Sequence, residues 1–263
     1  MMTVHYRITS ALCGLAGLLL ICAGLLLIQP AKAVLAQDAT PAPTTVATTM
    51  EASKPTGNNS YCLLCHAEPK HTYTLTDGSA FDIQVSPTTL AASVHGVGSK
   101  EGALGCVDCH GADAFPHTRP LPTNRRNYTV QASLACVNCH QDQVNKLVGS
   151  VHYQALAAGN LAAATCVDCH GSHDAQSLKD APLKVAETCE GCHVSIATEY
   201  RESVHGAALS EGDTNVPTCI SCHGGHDVEH PTTVAFRNNS PQMCANCHAD
   251  DKLMTQYNIS TNV

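Results

Sequence analysis

The hydrophobic pattern divides the chain into an apolar beginning, a polar stretch and a long mixed region. One apolar run extends from Ala11 to Ile28, between Arg7 and the small residues Ala31-Lys32-Ala33. This order is typical of an export signal, so residues 1–36 are predicted to be a signal peptide. The run is also long enough to cross a bilayer, which leaves a retained N-terminal membrane anchor as the alternative.

Residues 37–60 are rich in Thr, Pro, Ala and Asn, and this composition is typical of a flexible linker. Residues 61–263 are predicted to form the folded part. Apolar and polar residues alternate at helical spacing, without proline, over 144–158 and 196–209, whereas Gly, Pro and Asn favour loops over 74–87 and 112–128. The predicted fold is mainly α with much irregular structure and few or no strands.

Composition shows that aromatic side chains cannot form the core of this fold. The 263 residues include 16 Cys and 16 His, but no Trp and only 3 Phe. Some other material must therefore fill the interior. The net charge of −8 argues against nucleic acid or an anionic membrane surface as a partner.

One five-residue motif accounts for every cysteine after the apolar run. Cys-x-x-Cys-His occurs seven times, and we number the sites 1 to 7 in chain order. This unit is the attachment signal for c-type haem, because the two thiols reach the two vinyl groups and the histidine lies under the iron. We predict seven covalently attached haems c. The cysteines are Cys62, Cys65, Cys106, Cys109, Cys136, Cys139, Cys166, Cys169, Cys189, Cys192, Cys219, Cys222, Cys244 and Cys247, and the proximal histidines are His66, His110, His140, His170, His193, His223 and His248.

Disulfides and zinc sites are the competing interpretations of so many cysteines. Disulfides give no reason for a histidine to follow every pair. Zinc would require closed four-ligand sites and would not need the same unit seven times. The haem interpretation is therefore favoured.

The chain repeats itself with a period of 53 residues, from Cys136 to Cys189 and from Cys166 to Cys219. Each period carries Ser-Val-His between its two sites and Cys-His-Gly-x-His at its second site. The predicted repeats span about 62–135, 136–188 and 189–243, with a partial copy at 244–263. Iron in haem has a second axial position, and the repeated histidines are its predicted ligands: His95, His117, His152, His173, His205 and His226.

Site 7 is the expected exception, because no histidine follows His248. Four outcomes remain open for its second ligand: His71 or His230, Met254, an open position, or a ligand from another subunit.

Few residues are available per haem, so the haems must pack against one another and form the core.

The paired sites, the Ser-Val-His units and the Cys-His-Gly-x-His units resemble the doubled-motif multihaem cytochromes over residues 62–248. That family includes pentahaem and decahaem electron carriers and tetrahaem cytochromes of nitrogen metabolism. The resemblance implies proximal roles for the seven motif histidines and distal roles for His95, His152, His205, His173 and His226. His117 departs from the pattern, since it lies seven residues after His110 instead of three.

The resemblance also implies extracytoplasmic electron transfer, with a redox protein or a quinol-linked membrane protein as partner. We expect an exported electron carrier, periplasmic or extracellular, that touches the membrane only through an uncleaved N-terminal segment. Two alternatives stay open. One is a reductase of small nitrogen or sulfur oxyanions acting at an open site 7, and the other is a self-assembling subunit of an extracellular cytochrome filament.

Overall fold

A computed structural model describes residues 59–261. The predicted export segment and nearly all of the predicted linker lie outside these residues. The described part is helical and irregular, with little strand, which confirms the predicted fold class. Its helices are α1 Ser60–His66, α2 Pro87–Ala92, α3 Cys106–His110, α4 Arg125–Ala132, a 3-10 helix Ser133–Asn138, α5 Gln141–Leu147, α6 Val151–Ala157, α7 Cys166–His170, α8 Pro182–Glu190, α9 Val194–Glu202, α10 Val204–Ser210, α11 Cys219–His223, α12 Val234–His248 and α13 Asp251–Gln256.

Two short strands form an antiparallel hairpin near site 1. Strands β1 (Thr72–Thr74) and β2 (Ala80–Asp82) pair with Tyr73 opposite Phe81. The hairpin lies where the sequence predicted a loop over 74–87. The tip turns through Gly78, whose φ of 83° suits glycine.

The two long predicted helices are each divided in two at a serine, so this part of the prediction was wrong. Ser150 and Ser203 adopt extended backbone angles and begin α6 and α10 as N-caps. The Ser150 hydroxyl accepts a hydrogen bond from the Tyr153 N–H, and the Ser203 hydroxyl accepts one from the Gly206 N–H. A serine that caps a helix also interrupts the preceding one. These two Ser-Val-His units therefore each begin a new helix, whereas Ser93 of the first unit ends α2.

The protein's own side chains supply only a small apolar core. Where the second and third repeats meet, α8, α9 and α10 pack together around Val185, Ala197 and Leu209. Elsewhere large apolar side chains stay exposed, including Leu64 at 70% and Val97 at 80%. A folded chain rarely leaves this much apolar surface uncovered. The arrangement fits a protein whose interior is filled mainly by cofactors.

None of the helices within residues 59–261 combines the length and the apolar character that crossing a membrane would require.

We expect Ser150→Ala to lower the free energy of unfolding by about 1 kcal/mol, because it removes the N-cap of α6. Ser150 is fully buried, so water cannot replace the lost hydrogen bond. Ser195 lies exposed within α9, and Ser195→Ala is the matched control, with an expected change within about 0.5 kcal/mol. Denaturant unfolding of both holo-proteins measures this. Equal stabilities for the two variants would contradict the capping role.

Candidate haem-ligand sites

Sites 2, 4 and 6 share one local structure, a single helical turn that begins at the first cysteine. The residue before each turn donates its backbone N–H to the third motif residue. Gly105 donates to Asp108 over 2.6 Å, and Thr165 donates to Asp168 over 2.7 Å. At site 6 the Thr218 N–H donates to the Ser221 hydroxyl over 3.0 Å. A short polar residue between the cysteines thus fixes the start of the turn.

Glycine ends each of these three turns with a positive φ. The angles are 83° at Gly111, 79° at Gly171 and 79° at Gly224, each with an extended ψ. This region of backbone space is essentially restricted to glycine. The glycine of Cys-His-Gly therefore has a structural role, since it turns the chain immediately after the motif histidine.

Sites 1, 5 and 7 have the opposite local structure, with the motif at the C-terminal end of a longer helix. Site 1 ends α1, the first cysteine of site 5 lies in the last turn of α8, and site 7 ends α12. Site 3 likewise lies at the end of the 3-10 helix. The two local structures alternate along the chain, and site 7 has the form that opens a repeat.

Three motif histidines show which ring nitrogen is free to bind iron. The Nδ1 atoms of His66, His170 and His223 lie 2.8, 3.0 and 3.4 Å from the backbone oxygens of Ile83, Gln176 and Glu229. A carbonyl oxygen can only accept, so Nδ1 carries the hydrogen. The lone pair then lies on Nε2, which is free to coordinate a metal.

Six of the seven motif histidines face a second histidine at nearly constant distance. The ring centroids are 5.9 to 6.1 Å apart in all six pairs. With metal–nitrogen bonds of about 2 Å, two imidazoles on opposite sides of one metal have centroids roughly 6 Å apart. The residues therefore fit the two axial positions of a haem. The pairs are His66 with His117, His110 with His173, His140 with His95, His170 with His226, His193 with His152, and His248 with His205.

The pairing follows a rule that connects neighbouring repeats. The Ser-Val-His histidine of each repeat faces the first motif histidine of the next repeat, so we call it forward-reaching. The Cys-His-Gly-x-His histidine faces the second motif histidine of the preceding repeat, so we call it back-reaching. His117, which departs from the pattern in sequence, faces His66 within its own repeat.

Backbone hydrogen bonds hold these units in register. The Val94 N–H, in the first Ser-Val-His unit, donates to the Ala175 carbonyl over 2.9 Å. The Val151 N–H, in the second unit, donates to the Val228 carbonyl, also over 2.9 Å. Each acceptor lies two residues after a back-reaching histidine. One peptide contact thus aligns a forward-reaching and a back-reaching histidine together.

The exception lies at site 6, and the expectation of an exceptional site 7 was wrong. His205 faces His248 at 6.1 Å, and Met254 is buried in α13. At site 6 the ring packed against His223 belongs to Phe236, with centroids 5.0 Å apart and planes inclined by 15°. A phenyl ring offers no ligand atom. Site 6 thus has a motif histidine without a histidine opposite it among the described residues.

The motif thiols show that consecutive sites are neighbours. Cys136 hydrogen-bonds to Cys166, which lowers the pKa of the Cys166 thiol to about 6. Cys189 lowers the pKa of Cys219 to about 6 in the same way. At sites 1 and 2, the pKa of the Cys106 thiol is raised to about 11. Burial is the larger cause, and the nearby Cys62 thiol is the next. The first cysteines of sites 1 and 2, 3 and 4, and 5 and 6 therefore lie side by side.

The second cysteines link the sites between these pairs. Burial is the main cause that raises the pKa of Cys109, Cys169 and Cys222, and a thiol of the following site contributes in each case. The contributing cysteines are Cys139, Cys192, and Cys244 with Cys247. The seven sites therefore follow one another in space in the order of the sequence.

Arg126 is a supporting residue that the sequence patterns missed. From α4 its guanidinium reaches both carboxylate oxygens of Asp168 at 2.9 Å, within the site 4 motif. Burial acts to raise the pKa of Asp168, but hydrogen bonds from Thr165 and Arg126 outweigh it and lower that pKa. An ion pair at 42 residues' separation leaves no local signal in the sequence.

Among residues 59–261, no group of three or more His, Cys, Asp or Glu side chains is arranged to hold a bare metal ion. None of the fourteen motif cysteines there is paired in a disulfide. The observed arrangement is instead one of paired imidazoles beside paired thiols, which is the donor set for c-type haem.

Comparison with protein families adds independent support. A family model described as the doubled CXXCH motif matches residues 207–253. The match supports a multihaem c-type cytochrome. The matched segment contains site 6, the back-reaching His226 and site 7. No solved structure matches the chain.

Gly224→Ala should lower the free energy of unfolding by about 1–3 kcal/mol, because alanine is strained at this positive φ. A Cβ there would also lie 2.5 Å from Oδ1 of Asp227. Gly225→Ala is the matched control, since a Cβ at that position meets nothing within 4 Å. Thermal and denaturant unfolding of the two holo-proteins compares them. If Gly225→Ala cost as much as Gly224→Ala, the turn after the motif would not be the reason for the glycine.

Proposed function

We propose that this protein is an extracytoplasmic electron carrier with seven covalently attached haems c, six of them with two histidine ligands. The six histidine pairs at 5.9 to 6.1 Å carry this proposal, because each joins a motif histidine to a partner from a distant part of the chain. When bound, haem supplies an iron that changes oxidation state by one electron. The chain's residues attach it, orient it and fill its axial positions.

The order of the sites supports conduction along the chain. Consecutive motifs place their thiols close together, so proposed haems at consecutive sites are neighbours. Two histidine ligands leave an iron without an open position for substrate. Both features favour electron transfer over catalysis at the six paired sites.

The proposed location and partners rest on the sequence. The export signal predicted over residues 1–36 supports a periplasmic or extracellular location, tethered to the membrane if the segment is retained. The net negative charge favours a protein partner over nucleic acid. We propose a redox protein or a quinol-linked membrane protein as donor or acceptor.

The catalytic alternative depended on an open position at site 7, and His205 occupies that side of His248. Electron carriage is therefore the function that the geometry supports best. The motif histidine that has no second histidine opposite it among the described residues is His223 at site 6, where Phe236 contacts its ring.

The proposal predicts that the intact exported protein has the mass of the chain plus seven haems. Peptide mapping should find thioether-linked haem at all seven motifs, including Cys219 with Cys222. Intact mass spectrometry after export in a host that matures cytochromes c measures this. A mass corresponding to fewer haems, with free thiols at one motif, would contradict the count.

The pairing rule predicts that His226→Ala converts one haem from low spin to high spin. The affected haem should be the one attached at site 4, because His226 faces His170. His230→Ala is the matched control, since that exposed histidine faces no motif histidine among the described residues and should leave the spin states unchanged. Electron paramagnetic resonance of the oxidised proteins reads the change, and the assignment is refuted if His226→Ala shows no more high-spin haem than the wild type, or if His230→Ala shows the same increase.

A further inference from the structure

Arg126 brings one positive charge to site 4 and is held there by several groups. Its Nε donates to the Leu161 carbonyl, and its Nη2 donates to the Ala163 carbonyl. Its Nη1 lies 2.9 Å from each carboxylate oxygen of Asp168. A planar guanidinium with three such acceptors has one orientation, which a lysine ammonium could not reproduce. The charge is therefore fixed beside Asp168.

The Asp168 carboxylate lies within the site 4 motif, between the cysteines predicted to attach the haem, Cys166 and Cys169. It accepts hydrogen bonds from the Thr165 backbone N–H and hydroxyl, both over 2.7 Å. The Arg126 and Asp168 side chains are 29% and 32% exposed. Water and salt screen a partly buried charge less than one on the open surface. A change of charge here would therefore reach the haem attached at this motif.

The Thr165 hydroxyl helps to keep Asp168 in place without Arg126. Its oxygen accepts a hydrogen bond from the Ser133 hydroxyl over 3.0 Å. Ser133 and Thr165 are both buried, and Ser133 begins the 3-10 helix that leads to site 3. Asp168 would thus keep its position if the guanidinium were removed. The charge of Arg126 can therefore be tested apart from the geometry of the motif.

The turn that forms the motif does not need this ion pair. At site 6 the same turn begins with a hydrogen bond from the Thr218 N–H to the Ser221 hydroxyl. At site 2 Asp108 fixes the turn, and no cation pairs with it among residues 59–261. At site 5 the motif carboxylate, Glu190, does pair with Arg201 over 2.5 Å. Pairing with arginine thus differs from site to site and is not part of attaching haem.

The 53-residue repeat shows that the arginine accompanies the carboxylate. Lys179 lies one period after Arg126, and Ser221 lies one period after Asp168. The next repeat therefore has neither the carboxylate nor the guanidinium at these positions. Lys179 is exposed to solvent. Arg126 is thus the partner of one particular carboxylate rather than a general feature of the repeat.

We propose that Arg126 sets the reduction potential of the site 4 haem by cancelling the charge of Asp168. Oxidised iron carries one more positive charge than reduced iron, so an unpaired carboxylate nearby favours the oxidised form. By cancelling that carboxylate, Arg126 raises the potential. Asp174, the next carboxylate after the motif, is exposed, so water screens its charge. Arg126 acts through Asp168 and is a positioning residue, and the inference rests on the proposed haem at site 4.

Redox potentiometry of the holo-proteins, followed by haem absorbance, tests the charge of Arg126. In Arg126→Gln, the part of the absorbance change that belongs to one haem should move to lower potential. Asp168→Asn leaves the guanidinium unpaired and should move one haem to higher potential. The double variant should return to the wild-type curve, because both charges are gone. Lys179→Gln is the matched control, since it removes the same charge one period later, and it should leave the curve unchanged.

The His226→Ala variant shows which haem has moved. Its site 4 haem should be high spin, because His226 faces His170. When Arg126→Gln is added to this variant, the high-spin ferric signal in electron paramagnetic resonance should disappear at a lower potential. A shift confined to the low-spin haems would contradict the assignment to site 4.

Three results overturn the proposal: an unchanged curve in Arg126→Gln, an equal shift in the double variant, or an equal shift in Lys179→Gln. If Arg126→Gln loses its haem, Asp168→Asn decides, and an unchanged or lowered potential in that variant overturns the proposal. Intact mass separates these results from a failure of the proposed function. A wild-type chain without haem on Cys166 and Cys169 contradicts that function, whereas full haem content with unmoved potentials contradicts only the role of Arg126.

Discussion

The rest of this structure depends on pairs of imidazole rings that come from separate repeats and face each other. A single-turn helix such as Cys166–His170 is too short to be stable alone. Its histidine is instead held opposite His226, more than fifty residues further along the chain. The small apolar core is consistent with this arrangement, since axial coordination and haem packing would replace most of the burial that stabilises an ordinary domain.

The interlocking of repeats follows from the direction in which each histidine reaches. A forward-reaching and a back-reaching histidine cross between the same two repeats, and one backbone hydrogen bond, such as Val151 to Val228, keeps them aligned. No repeat completes both of its own sites, so each depends on its neighbours, as in other linear repeat proteins. Two sites depart from this arrangement. His117 faces the site 1 histidine within its own repeat, and Phe236 lies against His223 at site 6.

The motifs and the fold class could be predicted from the sequence because their causes are local. Five residues specify a haem site, and scarce aromatics with frequent Gly and Pro specify a helical but irregular chain. The partners of the histidines could not be predicted, since a contact such as His110 with His173 depends on how repeats pack. For the same reason, the absence of a histidine after His248 suggested the wrong exceptional site. The helix break at Ser150 was also missed, although the recurrence of serine before Val-His was a visible capping signal.

An experimental structure of the haem-loaded protein tests the central claim most directly, because it shows which histidine binds each iron. The account predicts that the iron of the haem on Cys166 and Cys169 is bound by His170 and His226, and that the iron of the haem on Cys244 and Cys247 is bound by His248 and His205. A structure in which His226 and His205 bind irons within their own repeat would contradict it.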